Sequence, residues 1–316
     1  KEKEKNQMKK TIQPIPINQT SCSLCGCIDF THYNRRVKSR PPGPVRDFVY
    51  KECAGCSSII LMNQPTLEEL SAWYPPTYYS LGGGFHPIKY MLRKAYSRYL
   101  LGKWSFFGRL YSKAIGGYPA LLHYLSELNS KDNILDYGGG GGRLASILRS
   151  LGCEKAKTYD PYGLTDVGTT QLLNTEWDCV ILENVLEHLP NVDAVIPKIK
   201  TKKFIITVPV SDSLSYGMYK ENWIALDAPR HLFIPSRYYM EEIFPMKYNL
   251  QYKLTYEIGQ GVHCLDSKNI QLHGRVMNYK LRCLFRLLGW FQDEVYAAQL
   301  ARADKRSDTA VFVYEH

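Results

Sequence analysis

The 316-residue chain has no apolar run approaching the roughly 18 residues of a membrane-spanning helix. That excludes a helical integral membrane protein. Nothing near the N-terminus has the apolar core of a signal peptide, so the sequence reads as cytoplasmic. The opening "KEKEKNQMKK" is charged and lacks anything to bury, and residues 1–19 are expected to be a disordered tail. Acidic residues are in short supply: 30 Asp and Glu face 40 Lys and Arg, for a net charge of +10. Such a balance favours anionic partners, namely phosphorylated metabolites, nucleic acid or an acidic membrane surface. There is no arginine-rich block, however, so a solvated basic surface accounts for the excess equally well.

Cysteine is present but uneven. Five of the nine fall in the first 56 residues, and two C-x-x-C units, Cys22/Cys25 and Cys53/Cys56, stand 27 residues apart. Four thiolates on two tight turns suit a tetrahedral zinc ion, and four thiolates leave no position open for water. The expectation is a structural zinc-binding module over residues 20–82. Thr66 with Glu69 forms a capping box that starts a short helix, and Pro75–Pro76 stops it. Residues 83–129 show apolar and basic residues at helical spacing. They are expected to form a helical lid, with peripheral contact to a lipid headgroup layer as the sharper alternative.

From residue 130 the pattern becomes alternating strand and helix, which implies a doubly wound, mostly parallel sheet. "NILDY", "AKTYD", "DCVILEN" and "FIITVPV" read as strands, and "LQYKLTYEI" and "DTAVFVYEH" as a closing pair. Between the last two, a helical insertion is expected at about residues 259–307. The stretch "NILDYGGGGGRLA" supplies a strand ending near Asp136, a glycine turn and a helix start. A turn of that kind brings backbone N–H groups close to a ligand. The dinucleotide fingerprint G-x-G-x-x-G fails in either register, because Arg143 or Leu144 stands where its third glycine would be. Asp160 closes the second strand, where a carboxylate can accept both hydroxyls of a ribose.

The set D-x-G-x-G-x-G, the acid after strand two and "NVLEHLP" after strand four resembles the class I S-adenosylmethionine (SAM)-dependent methyltransferases. The segments "YKECAGCSSIILMNQPTLEELSAWYPPTYYS" and "NWIALDAPRHLFIPS" resemble a bacterial group with an N-terminal zinc-binding module, which includes sugar C-methyltransferases. The likeness covers roughly residues 20–82 and 130–245. It implies an α/β, Rossmann-like fold with a seven-stranded sheet, SAM as cofactor beside a structural Zn²⁺, and a methyltransferase domain over residues 130–316. SAM would be held by Asp136, Gly138, Gly140, Gly142, Asp160 and Glu183. His231 falls on the catalytic histidine of the sugar enzymes, with His188 and Tyr79 as further catalytic candidates and Tyr78 and Arg230 as acceptor contacts. Arg230 stands where those enzymes carry an acid, which removes part of the C-methylation machinery. Glu187 and His188 also suit a divalent ion, but Asn184 occupies the place of a further glutamate in some O-methyltransferases. The ligand set is therefore incomplete in the sequence.

The leading expectation is methylation of a small polar acceptor, a sugar or nucleotide-linked sugar. An RNA methyltransferase using the zinc ribbon and basic surface is the first alternative. A non-catalytic subunit of this fold is the second.

Overall fold

The computed structural model describes residues 15–31, 35–75, 91–92, 95–96, 98–99, 104–115, 119–163, 166–258, 261–288, 290 and 299–316. Three short strands come first: β1 (Arg35–Lys38), β2 (Asp47–Glu52) and β3 (Ile59–Leu61). The expected capping box is present. Thr66 Oγ1 accepts from the Glu69 amide while Glu69 accepts from the Thr66 amide, at the start of helix Leu67–Leu70. The expected lid is described over two helices, Phe106–Ile115 and Pro119–Glu127, and its remaining parts fall largely outside the described residues.

The main sheet follows: β4 (Ile134–Tyr137), β5 (Lys157–Tyr159), β6 (Cys179–Glu183) and β7 (Lys203–Pro209). After the two-residue β8 (Phe233–Ile234), the sheet is completed by β9 (Gln251–Ile258) and β10 (Thr309–Glu315). Its order is β5-β4-β6-β7-β10-β9, with β10 alone running antiparallel to its neighbours. This is the α/β, mostly parallel arrangement expected. Six strands stand among the described residues where seven were anticipated. Between β5 and β6 the described residues form the short helix Thr169–Asn174 and no further edge strand. The segment around 191–200 makes two 3₁₀ turns, Val192–Ala194 and Ile196–Lys198, and not a continuous helix, because Pro197 interrupts helical bonding. Helices Gly261–His273 and Tyr279–Leu288 lie between β9 and β10.

Period-two alternation divides the core. Val180 and Leu182 of β6, Phe204, Ile206 and Val208 of β7, and Ala310, Phe312 and Tyr314 of β10 pack on one face. Cys179 and Ile181, Ile205 and Val311 pack on the other, against Leu144, Ile147 and Leu148 of the helix after β4. The first face is continuous with the cysteine module, since the same apolar cluster includes Cys22, Phe48, Tyr50 and Trp73. Backbone pairing strengthens this union. β3 pairs with β8, Ile59 opposite Ile234 and Ile60 opposite Phe233, so the module's sheet takes its fourth strand from the larger domain.

Candidate active site

The strands β4 to β7 are parallel, so their carboxyl ends and the loops leaving them lie on one edge of the sheet, where such folds gather ligands. At the end of β4 the chain turns through Gly138, Gly140 and Gly142, all with positive φ. A Cβ on Gly138 would stand 2.6 Å from Val185, which adopts the loop after β6, and one on Gly139 would collide with Asp136 Oδ2 and Thr158. The turn is therefore closed over by its neighbours, with no room for a side chain at Gly138 or Gly139, and its Gly138, Gly140 and Gly142 N–H groups donate to the Tyr159 carbonyl, the Asp160 carboxylate and the Gly139 carbonyl. Asp136 lies beneath it, 1% exposed, with Oδ2 lacking a hydrogen-bond partner. Burial, and then the nearby Glu183 carboxylate, push its pKa up to about 8. Asp160 accepts from the Gly140 amide at 2.8 Å and from the Tyr162 amide at 2.8 Å, which ties the second-strand acid to the glycine turn. The orphaned buried oxygen and the side-chain-free cradle fit a ligand with a cationic group and a polar chain, as SAM has. Asp136, Gly138, Gly140, Gly142, Asp160 and Glu183 are thus placed on one sheet edge.

Beyond β6 the 3₁₀ turn Leu186–His188 carries a second group of residues. Glu187 is fully buried, and its pKa is pushed up to about 8 by loss of water. Neither carboxylate oxygen has a hydrogen-bond partner outside its own residue. His231 Nε2 lies 3.8 Å from Glu187 Oε1. The rings of His188 and His231 meet edge to face, 4.6 Å between centroids. His231 Nδ1 is 2.6 Å from the Ala225 carbonyl, and His188 Nδ1 is 2.9 Å from the Arg230 carbonyl. A carbonyl only accepts, so each Nδ1 carries the hydrogen and each Nε2 keeps its lone pair. Burial lowers both pKa values, that of His188 to about 3 with His231 as the next cause, so both rings are neutral near pH 7.

The cysteine module holds this group in place. Tyr74 Oη lies 2.9 Å from His188 Nδ1. The Tyr50 hydroxyl stands 2.7 Å from the carbonyls of Leu226 and His231. Arg230 is 4% exposed. Its guanidinium donates to both oxygens of Asp227, and to the carbonyls of Arg40 and Pro41. The expectation that Arg230 grips the acceptor is corrected on this geometry. Its donors are turned into the protein, where they join the module to the loop before β8. Although burial works against the charge of Asp227, the Arg230 guanidinium holds its carboxyl below the ordinary value.

The four cysteines converge as expected. Cys22 and Cys56 sulfurs are 3.7 Å apart and those of Cys25 and Cys53 3.5 Å, and all four lie within 4.8 Å of one another. Those separations exceed a disulfide bond and match the edge of a tetrahedron with metal–sulfur bonds of about 2.3 Å. Each pair sits on a turn ended by a residue of positive φ, Gly26 and Ser57. The set is one that could hold a tetrahedral metal.

Residues 111–253, which span the glycine turn and both histidines, match the family model described as a methyltransferase domain. The chain carries a methyltransferase domain. Its enzyme class is that of the SAM-dependent methyltransferases. Among solved structures the methyltransferase domain is similar to a coclaurine N-methyltransferase bound to N-methylheliamine and SAH, at 11% identity over 63% of this chain and 70% of that one, TM-score 0.34. It is also similar to a cyclopropane-fatty-acyl-phospholipid synthase-like protein from Lactobacillus casei, at 11% identity, 74% and 95% coverage and TM-score 0.37. A third is a SAM-dependent methyltransferase from Thermotoga maritima, at 11% identity, 70% and 98% coverage and TM-score 0.37. Likeness this distant says nothing about what the chain methylates. No curated protein matches the sequence.

Tyr78 and Tyr79 lie outside the described residues. Two contributors escaped sequence reasoning. Tyr74 before a proline pair and Tyr50 in a strand carry no signal beyond packing. Glu187 was read with His188 as suiting a divalent ion, but without His231, which lies 43 positions beyond His188. An open cavity lined by Glu176, Lys200, Tyr248 and His316 lies at the opposite, amino-terminal edge of the parallel strands, away from this chemistry. Among the described residues no helix is long and apolar enough to cross a membrane.

Proposed function

We propose that the protein transfers the methyl group of SAM to a small polar acceptor, with a sugar or nucleotide-linked sugar as the first class to test. The observation that carries this reading is the closed glycine turn over buried Asp136, on the same strand edge as a neutral histidine pair. When bound, SAM supplies an electrophilic methyl on a sulfonium. The turn, free of side chains, would let the methionine end of SAM lie close to the backbone, Asp136 would face its ammonium, and Asp160 its ribose. An acceptor lone pair forms the new bond to the methyl carbon while the carbon–sulfur pair leaves with sulfur. The remaining work is position and, for a hydroxyl, removal of a proton. His231 and His188, with free Nε2 lone pairs, are the groups that activate or position the acceptor. The sugar class rests on the resemblance of residues 20–82 and 222–236 to the sugar enzymes. The four cysteines hold a structural Zn²⁺ in a module over residues 20–82, ahead of a methyltransferase domain over 130–316.

Titration calorimetry with S-adenosylhomocysteine tests the cofactor site, with micromolar binding expected, on the order of −8 kcal/mol. Gly139→Ala should abolish it, while Gly168→Ala, where nothing lies within 4 Å of the new methyl, should not. His231→Ala should lower turnover by about 10²–10⁴-fold with little change in S-adenosylhomocysteine affinity. Parental binding by Gly139→Ala would remove the cofactor assignment.

A further inference from the structure

We infer that Glu187, His188 and His231 form a binding site for a divalent transition-metal ion, and that the ion holds an oxygen of the methyl acceptor. The inference rests on the methyltransferase reading for its last clause alone. The metal site itself stands on geometry. One nitrogen or carboxylate oxygen from each of the three residues lies within 4.8 Å of the others, and the His231 Nε2 to Glu187 Oε1 separation is 3.8 Å. Two donors bound to one ion at about 2.0–2.2 Å stand about 3–4 Å apart.

Three independent features point to a cation. The first is Glu187 itself: a fully buried carboxylate without an external hydrogen-bond partner, whose ion-pair contact among the described residues is a histidine. An isolated buried carboxylate is costly unless a cation joins it. The second is the tautomers. Backbone carbonyls of Ala225 and Arg230 hold both Nδ1 hydrogens, which is the arrangement that orients imidazoles as metal ligands through Nε2. The third is rigidity. Tyr74, Tyr50 and the Arg230–Asp227 pair fix both histidine segments from the module side, so the donors are held before any ion arrives. Two imidazoles and one carboxylate form a borderline N₂O set suited to Mn²⁺, Fe²⁺, Co²⁺ or Zn²⁺, with coordination positions left open. His188 and His231 are the partly exposed members, so the open positions face outward. An acceptor bearing a hydroxyl, alone or beside a second oxygen, fits them. A bound cation favours the ionised form of such a hydroxyl, and its proton passes to solvent.

The test uses the full chain with one equivalent of Zn²⁺ supplied first, to fill the four-cysteine set. Mn²⁺ is then titrated and free Mn²⁺ read by electron paramagnetic resonance, because thiolates compete poorly for Mn²⁺. About one Mn²⁺ per chain is expected. His231→Ala and Glu187→Gln should each weaken it at least tenfold, in line with the known sensitivity of metal sites to their surroundings. His188→Ala replaces Glu187→Gln should the latter fail to fold by circular dichroism. No Mn²⁺ uptake by the folded parent, or unchanged uptake in His231→Ala, would overturn the site and leave Glu187 as a protonated space-filler. S-adenosylhomocysteine calorimetry on the same sample separates the two claims. Cofactor binding without Mn²⁺ uptake sinks the metal alone. Mn²⁺ uptake without cofactor binding sinks the methyltransferase reading and keeps the metal.

Discussion

Asp136 shows how one residue can report on both stability and ligand. Its carboxyl, ordinarily near 3.8, titrates at about 8 in the folded protein, chiefly through burial. The folded state therefore keeps a proton between about pH 4 and pH 8 that the unfolded chain has released. By linkage the contribution is fully present below the unfolded pKa and is lost as pH rises through that window. A cationic ligand group shifts the balance the other way, since it favours the ionised carboxylate. S-adenosylhomocysteine affinity should therefore rise from pH 6 to pH 8, with proton release. Calorimetry in two buffers of different ionisation enthalpy measures that proton directly. Affinity that stays flat over this range would remove Asp136 from the ammonium. The residue's position was legible in the sequence, because an acid before a glycine turn at a strand end has few other uses. Its protonation was not. That depends on Glu183, which arrives from β6, and on the depth of burial, both set only once the sheet is assembled.

Among the elements, those with strong local patterns were readable. β4, β6, β7 and β10 are apolar runs, and the capping box announces its helix. β8 was not, because two residues carry no period. Its role is fixed by pairing with β3, some 170 positions earlier. That pairing matters to the site, since β8 begins just past His231 and Leu232, and β2 supplies Tyr50 beneath it. Tyr50 is fully buried, and its hydroxyl serves the carbonyls of Leu226 and His231. Tyr50→Phe keeps the ring and strips the hydrogen bond, leaving buried carbonyls unmet at a cost of about 1–3 kcal/mol. Urea unfolding should show that loss. Turnover should fall with it while S-adenosylhomocysteine affinity holds, because the glycine turn hangs from β4 and not from the module. A variant of parental stability would mean that Tyr50 does not hold this loop.

At the scale of the whole molecule the two cores divide the labour. The glycine turn leads into the helix Arg143–Ser150, whose Leu144, Ile147 and Leu148 pack on one face of the sheet. The histidine pair lies toward the other face, whose apolar cluster runs without a break into the cysteine module. The knuckles themselves are bonded into the domain. Ser236 Oγ donates to the Cys56 carbonyl at 2.5 Å, and Ser211 Oγ donates to the Ser57 carbonyl at 2.8 Å. A structural zinc ion contributes directly to folding free energy, so its loss should propagate along these bonds. Cys53→Ser should lower the zinc content from one per chain and lower the melting temperature. The disturbance should reach Ser236, β8 and His231 first, and the β4 turn last. Turnover is therefore expected to fall by a larger factor than S-adenosylhomocysteine affinity at a temperature where the variant is still folded. Metal analysis, calorimetry and an activity assay on one preparation decide it. If zinc content and melting temperature stay parental, the four sulfurs are not a metal site. If cofactor affinity and turnover fall together, the module supports the sheet as a whole and not the histidine side in particular.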